Sequence, residues 1–217
     1  MIEKIPSIDR ENLEENEERA LEELESLIVS SLYLARSSRL FIDAFLANLL
    51  IDLSKNKHYS LVKTFSIINT NMNSLRENIS VLNNRNWDRR LEKHIPELNQ
   101  AIDKIINRIR LKISVIARTN SGDSGSIDIF KEYLSSESAR REISQKYSHN
   151  FQSMYITETV KAYNQVSAEG HKSLTWTSRL CSTTCPQCRS RHGKKIKSGD
   201  VLPPLHPNCY CIVYAET

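Results

Sequence analysis

Apolar residues recur at intervals of three and four through most of the first 170 positions, the spacing of helices that bury one face. Residues 11–26 are dense in Glu and helix-compatible. They run without a breaker into Leu27, Ile28, Leu32 and Leu34, which predicts one long helix crossing from an acidic to an apolar stretch. Phe41, Phe45, Leu46, Leu49 and Leu53 extend it as a wide buried stripe. Ile67, Ile68, Met72, Leu75, Ile79 and Leu82 keep helical spacing through an Asn-rich stretch, so a second helix is expected, fraying toward Asn83-Asn84, with Trp87 opening another segment. The clearest helix follows Pro96, where Leu98, Ile102, Ile105, Ile109, Ile113 and Ile116 define one buried face. Its other faces carry Lys104, Arg108, Arg110, Lys112 and Arg118, read here as a solvated surface, although a basic stripe can also track phosphates.

Residues 119–126, Thr-Asn-Ser-Gly-Asp-Ser-Gly-Ser, have the composition of a linker. Helical spacing then resumes from Ile127 to Gly170, a suitable helix C-terminal cap. Beyond it, Leu174–Ser178 and Cys211–Tyr214 read as short strands that pair with each other. All five glycines lie after residue 121, so the first half lacks the residues that tight hairpins use and is expected to be all-α. The predicted fold is therefore mainly α: long helices followed by a small C-terminal metal-stapled module with a short antiparallel β-hairpin. The expected organisation is a helical region over 1–118, a linker over 119–126, and a domain over 127–217 that is helical to about 170 and closes with a module over 174–217.

Composition sharpens this picture in two places. Aromatic residues make up only 7% of the chain, which argues against a broad core. The net charge of +4 conceals an asymmetry: residues 1–26 hold ten acids against three bases, and the remainder holds 27 bases against 16 acids. The acidic start is read as a solvated helix end. The N-terminus has no basic region ahead of an apolar core, so no secretory signal is expected. The most apolar window, Leu27–Leu53, is interrupted by Arg36, Arg39, Asp43 and Asp52, so no membrane association is expected either.

All five cysteines fall within the last 37 residues. In a reducing compartment, clustered cysteines bind metal more often than they form disulfides. Cys185-Pro186-Gln187-Cys188 has the C-x2-C spacing that aims two thiolates at a tetrahedral ion from one turn, and His206-Pro207-Asn208-Cys209-Tyr210-Cys211 supplies an imidazole and two more thiols. Cys185, Cys188, His206 and Cys209 are the first choice of ligands, with Cys211 the alternative fourth and His192 and Cys181 further from the pattern. A segment of about 40 residues seldom sustains a core without a staple, so structural Zn2+ is the expected cofactor. No H-E-x-x-H is present and thiolate-rich sites tend to be closed, so no enzymatic activity is expected. A zinc enzyme would need an open coordination position beside a base such as Glu158 or Asp200.

The order Tyr155-Ile156-Thr157-Glu158, Ala162-Tyr163-Asn164, Gly170, Trp176, Cys185-x2-Cys188, Gly193 and His206-Pro207-Asn208-Cys209-x-Cys211 resembles the phage Mu F-like head morphogenesis domain. The resemblance covers about the last hundred residues and is densest over the final forty. It departs at Cys181, where members often carry an Asp, and at Tyr210, where an Arg is usual. The resemblance implies a minor capsid protein, several copies of which can enter a particle, associated with portal or major capsid proteins. Its place would be the head interior or portal vicinity of the virion, and the host cytoplasm during assembly, with a role in head assembly or genome delivery. Thr157-Glu158 would then lie beside the metal module, where a Glu can pin a metal loop by a hydrogen bond. The alternative is a zinc-dependent nucleic-acid-binding protein that sets Arg179, Arg189, Arg191, Lys194, Lys195 and Lys197, six bases with no acid among them, against phosphates of packaged DNA.

Overall fold

A computed structural model of the chain describes residues 14–55, 60–119, 127–197 and 199–215. The first thirteen residues of the acidic start, and the expected linker beyond Thr119, lie outside the described residues. The fold is mainly helical, with a small C-terminal three-stranded antiparallel sheet. The order is α1 (Glu15–Ser54), α2 (Leu61–Asn86), a 3-10 helix (Arg89–His94), α3 (Ile95–Thr119), α4 (Ile127–Ser135), α5 (Glu137–Ala168), β1 (Ser173–Thr177), α6 (Pro186–Arg189), β2 (Lys195–Lys197) and β3 (Ile212–Tyr214). Among the described residues, no helix is long and apolar enough to cross a membrane.

The described residues form two compact units, each discontinuous in sequence. One gathers 33–87 and 95–152, and the other 14–32, 88–94 and 153–215. In the first, α2 and α3 make an antiparallel hairpin. Asn83 bonds Asn99, Arg76 bonds Asp103, and Arg118 lies over the Phe65 ring, so partners descend one helix as they climb the other. Ile68, Met72, Leu75 and Ile79 on α2 are buried, as are Leu98, Ile102, Ile105, Ile106, Ile109 and Ile113 on α3. α2 does not fray where the amide-rich run begins. Asn83 is fully buried, its amide donating to Asn99 Oδ1 at 3.2 Å, and the helix continues to Asn86. A cross-helix amide bond thus carries the helix through this run, although Asn83 Oδ1 is buried with no hydrogen-bond partner among the described residues.

In the second unit the N-terminal part of α1 buries Leu21, Leu24 and Ile28, and α5 buries Tyr155, Ile156 and Val160. Ser31 and Thr159 hydrogen-bond through their hydroxyls, and Tyr163 donates to the Ala20 carbonyl at 3.5 Å. α5 ends at Ala168, and Gly170 follows at φ +80°, a left-handed backbone that lets the chain turn into β1. β1 is the central strand, in the order β2-β1-β3. Trp176 faces Val213, and Leu174 faces Ile196. These side chains share one face of the sheet with the buried Cys188, Cys209 and Cys211.

Because Ile109 is fully buried while Leu111, two positions on, is 68% exposed, truncating the two should separate packing from propensity. Ile109→Ala is expected to cost about 2–5 kcal/mol in urea denaturation, and Leu111→Ala within about 0.5 kcal/mol.

Candidate metal centre

Two stretches without long secondary structure carry the donor atoms, and each is set by local chemistry. Cys185 is the N-cap of the single-turn α6, and Pro186 occupies the first helical position, where a missing N–H costs nothing. The Cys188 N–H donates to Cys185 Sγ at 3.3 Å, so the backbone turns both sulfurs the same way. The second stretch closes as a turn in which Cys209 N–H donates to the His206 carbonyl at 3.2 Å. Asn208 sits at φ +58°, a left-handed conformation that Asn tolerates better than most side chains.

The turns bring together two groups of donors that share Cys188: Cys185, Cys188 and His206, and Cys188, Cys209 and Cys211. His206 Nε2 lies 3.2 Å from Cys185 Sγ and 3.4 Å from Cys188 Sγ, and Cys188 Sγ lies 3.6 Å from Cys209 Sγ. A tetrahedral ion with thiolates at about 2.3 Å and an imidazole at about 2.0–2.1 Å would hold its donors about 3.6–3.8 Å apart. The three close pairs lie within a few tenths of an ångström of that spacing, whereas Cys185, Cys188, His206 and Cys209 do not all lie within 4.8 Å of one another, so the two turns must close further to complete one shell. The imidazole has the correct tautomer. Its Nδ1 stands 2.9 Å from the Pro207 carbonyl, which can only accept, so Nδ1 carries the proton. In the neutral ring the Nε2 lone pair therefore points at two sulfurs, an arrangement that a cation stabilises.

The thiols differ in their surroundings. A hydrogen bond from the Cys211 thiol, helped by backbone N–H groups, holds Cys209 down to about 5, whereas burial pushes Cys188 up to about 12. Cys185 is lowered by the N–H of Cys188, and His206 is raised, first by its bond to Pro207 O. Cys211 is raised by its bond to Cys209 and by burial. Its sulfur also lies 3.4 Å from Ser178 Oγ, so the one thiol hydrogen is shared between these two neighbours. Neither further candidate joins the cluster. His192 Nδ1 accepts from the Ser178 N–H at 3.2 Å, and Cys181 Sγ contacts the Thr183 and Thr184 hydroxyls.

Of the residues that hold the cluster in place, Thr157, Asn164 and Trp176 belong to the resemblance, whereas Ser178 stands out only as the end of an expected strand. Asn164 of α5 is fully buried; its amide donates to Cys211 O at 3.0 Å and Pro203 O at 3.3 Å, and its Oδ1 accepts from Val213 N–H at 2.7 Å. Ser178 accepts from Trp176 Nε1 at 3.2 Å and from Cys211, and donates to Cys188 O. Trp176 is fully buried, a core residue. Of Thr157-Glu158, Thr157 is the one that pins the metal loop, accepting from Asn208 N–H at 3.3 Å. Glu158 instead ion-pairs with Lys161 at 3.5 Å, and Asp200 accepts from Lys197 N–H at 2.8 Å.

The six expected phosphate-facing bases do not stay together. Arg179 is buried, paired with Glu25 at 3.2 Å and stacked 5.7 Å over the Tyr210 ring, so it is removed from the set. Burial lowers its pKa, as expected for a cation taken out of water. Arg191 is half-buried, 5.1 Å over the Trp176 ring, while Arg189, Lys194, Lys195 and Lys197 are exposed. Lys195 and Lys197 flank the inward Ile196 on β2, a strand too short to show in the hydrophobic pattern.

Comparison with known protein families, characterised proteins and solved structures finds no match for the chain.

Two outcomes follow for the centre. Asn164→Ala strands a buried strand N–H and removes a donor from two carbonyls, and should cost about 3 kcal/mol in urea denaturation of the full chain. Because the Cys209 thiol is depressed, its thiolate's contribution is complete above the ordinary thiol range and is lost as pH falls through about 5. Metal loaded at neutral pH should be released as pH falls, because protons compete with the ion for thiolates and imidazole, and release is followed with a chromogenic chelator.

Proposed function

We propose that the chain is a structural virion component of the Mu F-like head morphogenesis kind. Zinc bound by Cys185, Cys188, His206 and Cys209 staples its C-terminal module, and its long helices contact portal or major capsid protein. One observation carries this reading: several residues of the resemblance, scattered from Thr157 to Cys211, meet around one cluster. Thr157 and Asn164 bond the metal loop and β3, Gly170 turns α5 into β1, Trp176 fills the module core, and Gly193 at φ +72° donates to the Trp176 carbonyl at 2.8 Å. A sequence pattern whose members hold one another in space is better explained as a module than as coincidence. Three thiolates and an imidazole fill a tetrahedral ion and leave no place for an activated water, so the metal's role is structural. Its binding is worth on the order of 10–16 kcal/mol, ample for a module with strands this short.

A second reading, binding of nucleic acid by the module, is favoured by the exposure of Arg189, Lys194, Lys195 and Lys197 within one short stretch. It requires affinity that falls steeply with salt.

Metal content should be measured on wild type beside Cys185→Ser and Cys209→Ser, with copurifying proteins identified from lysate of phage-infected cells that produce the chain. The expected result is about one zinc per chain, lost in both variants, with portal or major capsid protein in the eluate. A folded, metal-free chain would overturn the staple. Zinc with nucleic acid alone in the eluate would replace the leading reading with the second.

A further inference from the structure

A cleft of about 250 Å³ opens between α2 and α3, within the unit that does not contain the metal cluster. Buried Met72 and Ile106 form its apolar floor, and its walls are Asn69, Asn73 and Arg76 from α2 with Asn107 and Arg110 from α3. The α2 residues stand four and three positions apart and the α3 residues three apart, so the helical periodicity that buries the isoleucines also lines up these polar groups. Two guanidiniums and three amides therefore line the cleft, and the Asp103 carboxylate, not itself a lining residue, pairs with one of the guanidiniums.

Arg76 is held in position. Its Nε donates to Asp103 Oδ1 at 2.8 Å, with both side chains nearly half exposed. An ion pair that open to solvent contributes only about 0–1 kcal/mol, so stability alone gives little reason for it. What it does is fix the guanidinium plane while using one of five N–H donors. Guanidinium forks match phosphate oxygens in pairs, and side-chain amides both donate to and accept from a sugar or base edge. The volume is just below the roughly 300–1,000 Å³ of sites for drug-sized ligands, which suits one small polar unit.

We propose that the α2–α3 cleft binds a nucleotide, with Arg76 and Arg110 gripping its phosphate and Asn69, Asn73 and Asn107 hydrogen-bonding its sugar or base. The shared chemistry is a phosphate carrying a polar ring system, whether a free nucleotide or one unit of a single strand. This site is separate from the basic stretch of the metal module, and the variants tell them apart.

The test uses the full chain, with titration of AMP by calorimetry and of a fluorescein-labelled oligodeoxyadenylate single strand by anisotropy. Arg110→Gln is compared with wild type and with the combined Lys194→Gln, Lys195→Gln, Lys197→Gln variant. Arg110 is exposed, so its replacement should leave the helical circular dichroism unchanged. Wild type is expected to bind at least one probe, and Arg110→Gln to bind it about tenfold or more weakly, with a second loss in Asn73→Leu. AMP binding assigns the site to free nucleotides, and binding of the strand alone assigns it to a polymer. The proposal is overturned if neither probe binds saturably, if Arg110→Gln binds as tightly as wild type, or if only the lysine variant loses binding.

Discussion

Four donor atoms crowded between α6 and the 206–209 turn set the terms for the C-terminal module. His206 Nε2 approaches the sulfurs of Cys185 and Cys188, and Cys188 approaches Cys209, at 3.2–3.6 Å, and an imidazole whose Nδ1 proton is committed to a carbonyl turns its lone pair toward two sulfurs. Sulfur and nitrogen lone pairs at such distances repel unless a cation or a proton lies between them. The segment's own secondary structure is slight: its strands have five, three and three residues, and its helix a single turn. A hydrophobic cluster centred on Trp176 contributes, but three of its six buried members are the cysteines themselves. Core and candidate metal site are thus one structure.

The cluster is tied to the helical body through hydrogen bonds from α5. Thr157 and Asn164 lie seven positions apart, two turns along one face, and reach the metal loop and β3 respectively. Asn164 uses both amide hydrogens and its carbonyl oxygen, so no aliphatic residue could replace it without stranding buried backbone groups. The Cys211 thiol plays a complementary part. It supports the Cys209 thiolate and bonds to Ser178, which in turn bonds to the Cys188 carbonyl and the Trp176 indole, joining the two ligand turns to the sheet.

Much of this could be read from the sequence where a strong period or spacing was present. The isoleucine ladder of α3, the glycine at the end of α5 and the pairing of β1 with β3 follow from side-chain periodicity and backbone freedom, and the cysteine spacings located the cluster. What escaped has identifiable causes. β2 is three residues long, too short for alternation to register. Arg179 looked like its basic neighbours because a local run of charge carries no information about burial. Its partner Glu25 lies more than 150 positions earlier, in the acidic stretch read as solvated. Asn83 reads in sequence as part of a fraying helix end, whereas its cross-helix bond to Asn99 holds it in place. For Arg179 and Asn83 the deciding contact is polar and lies on another element, and no hydrophobic pattern encodes it.

The central claim, a closed thiolate and imidazole site that holds a metal as a structural staple, is most directly tested by X-ray absorption at the zinc edge on the purified full chain. A shell of three sulfurs at about 2.3 Å and one nitrogen at about 2.0–2.1 Å, unchanged by added small anions, is the predicted result. A shell dominated by oxygen, or an absorption edge indistinguishable from buffer in a folded sample, would contradict it.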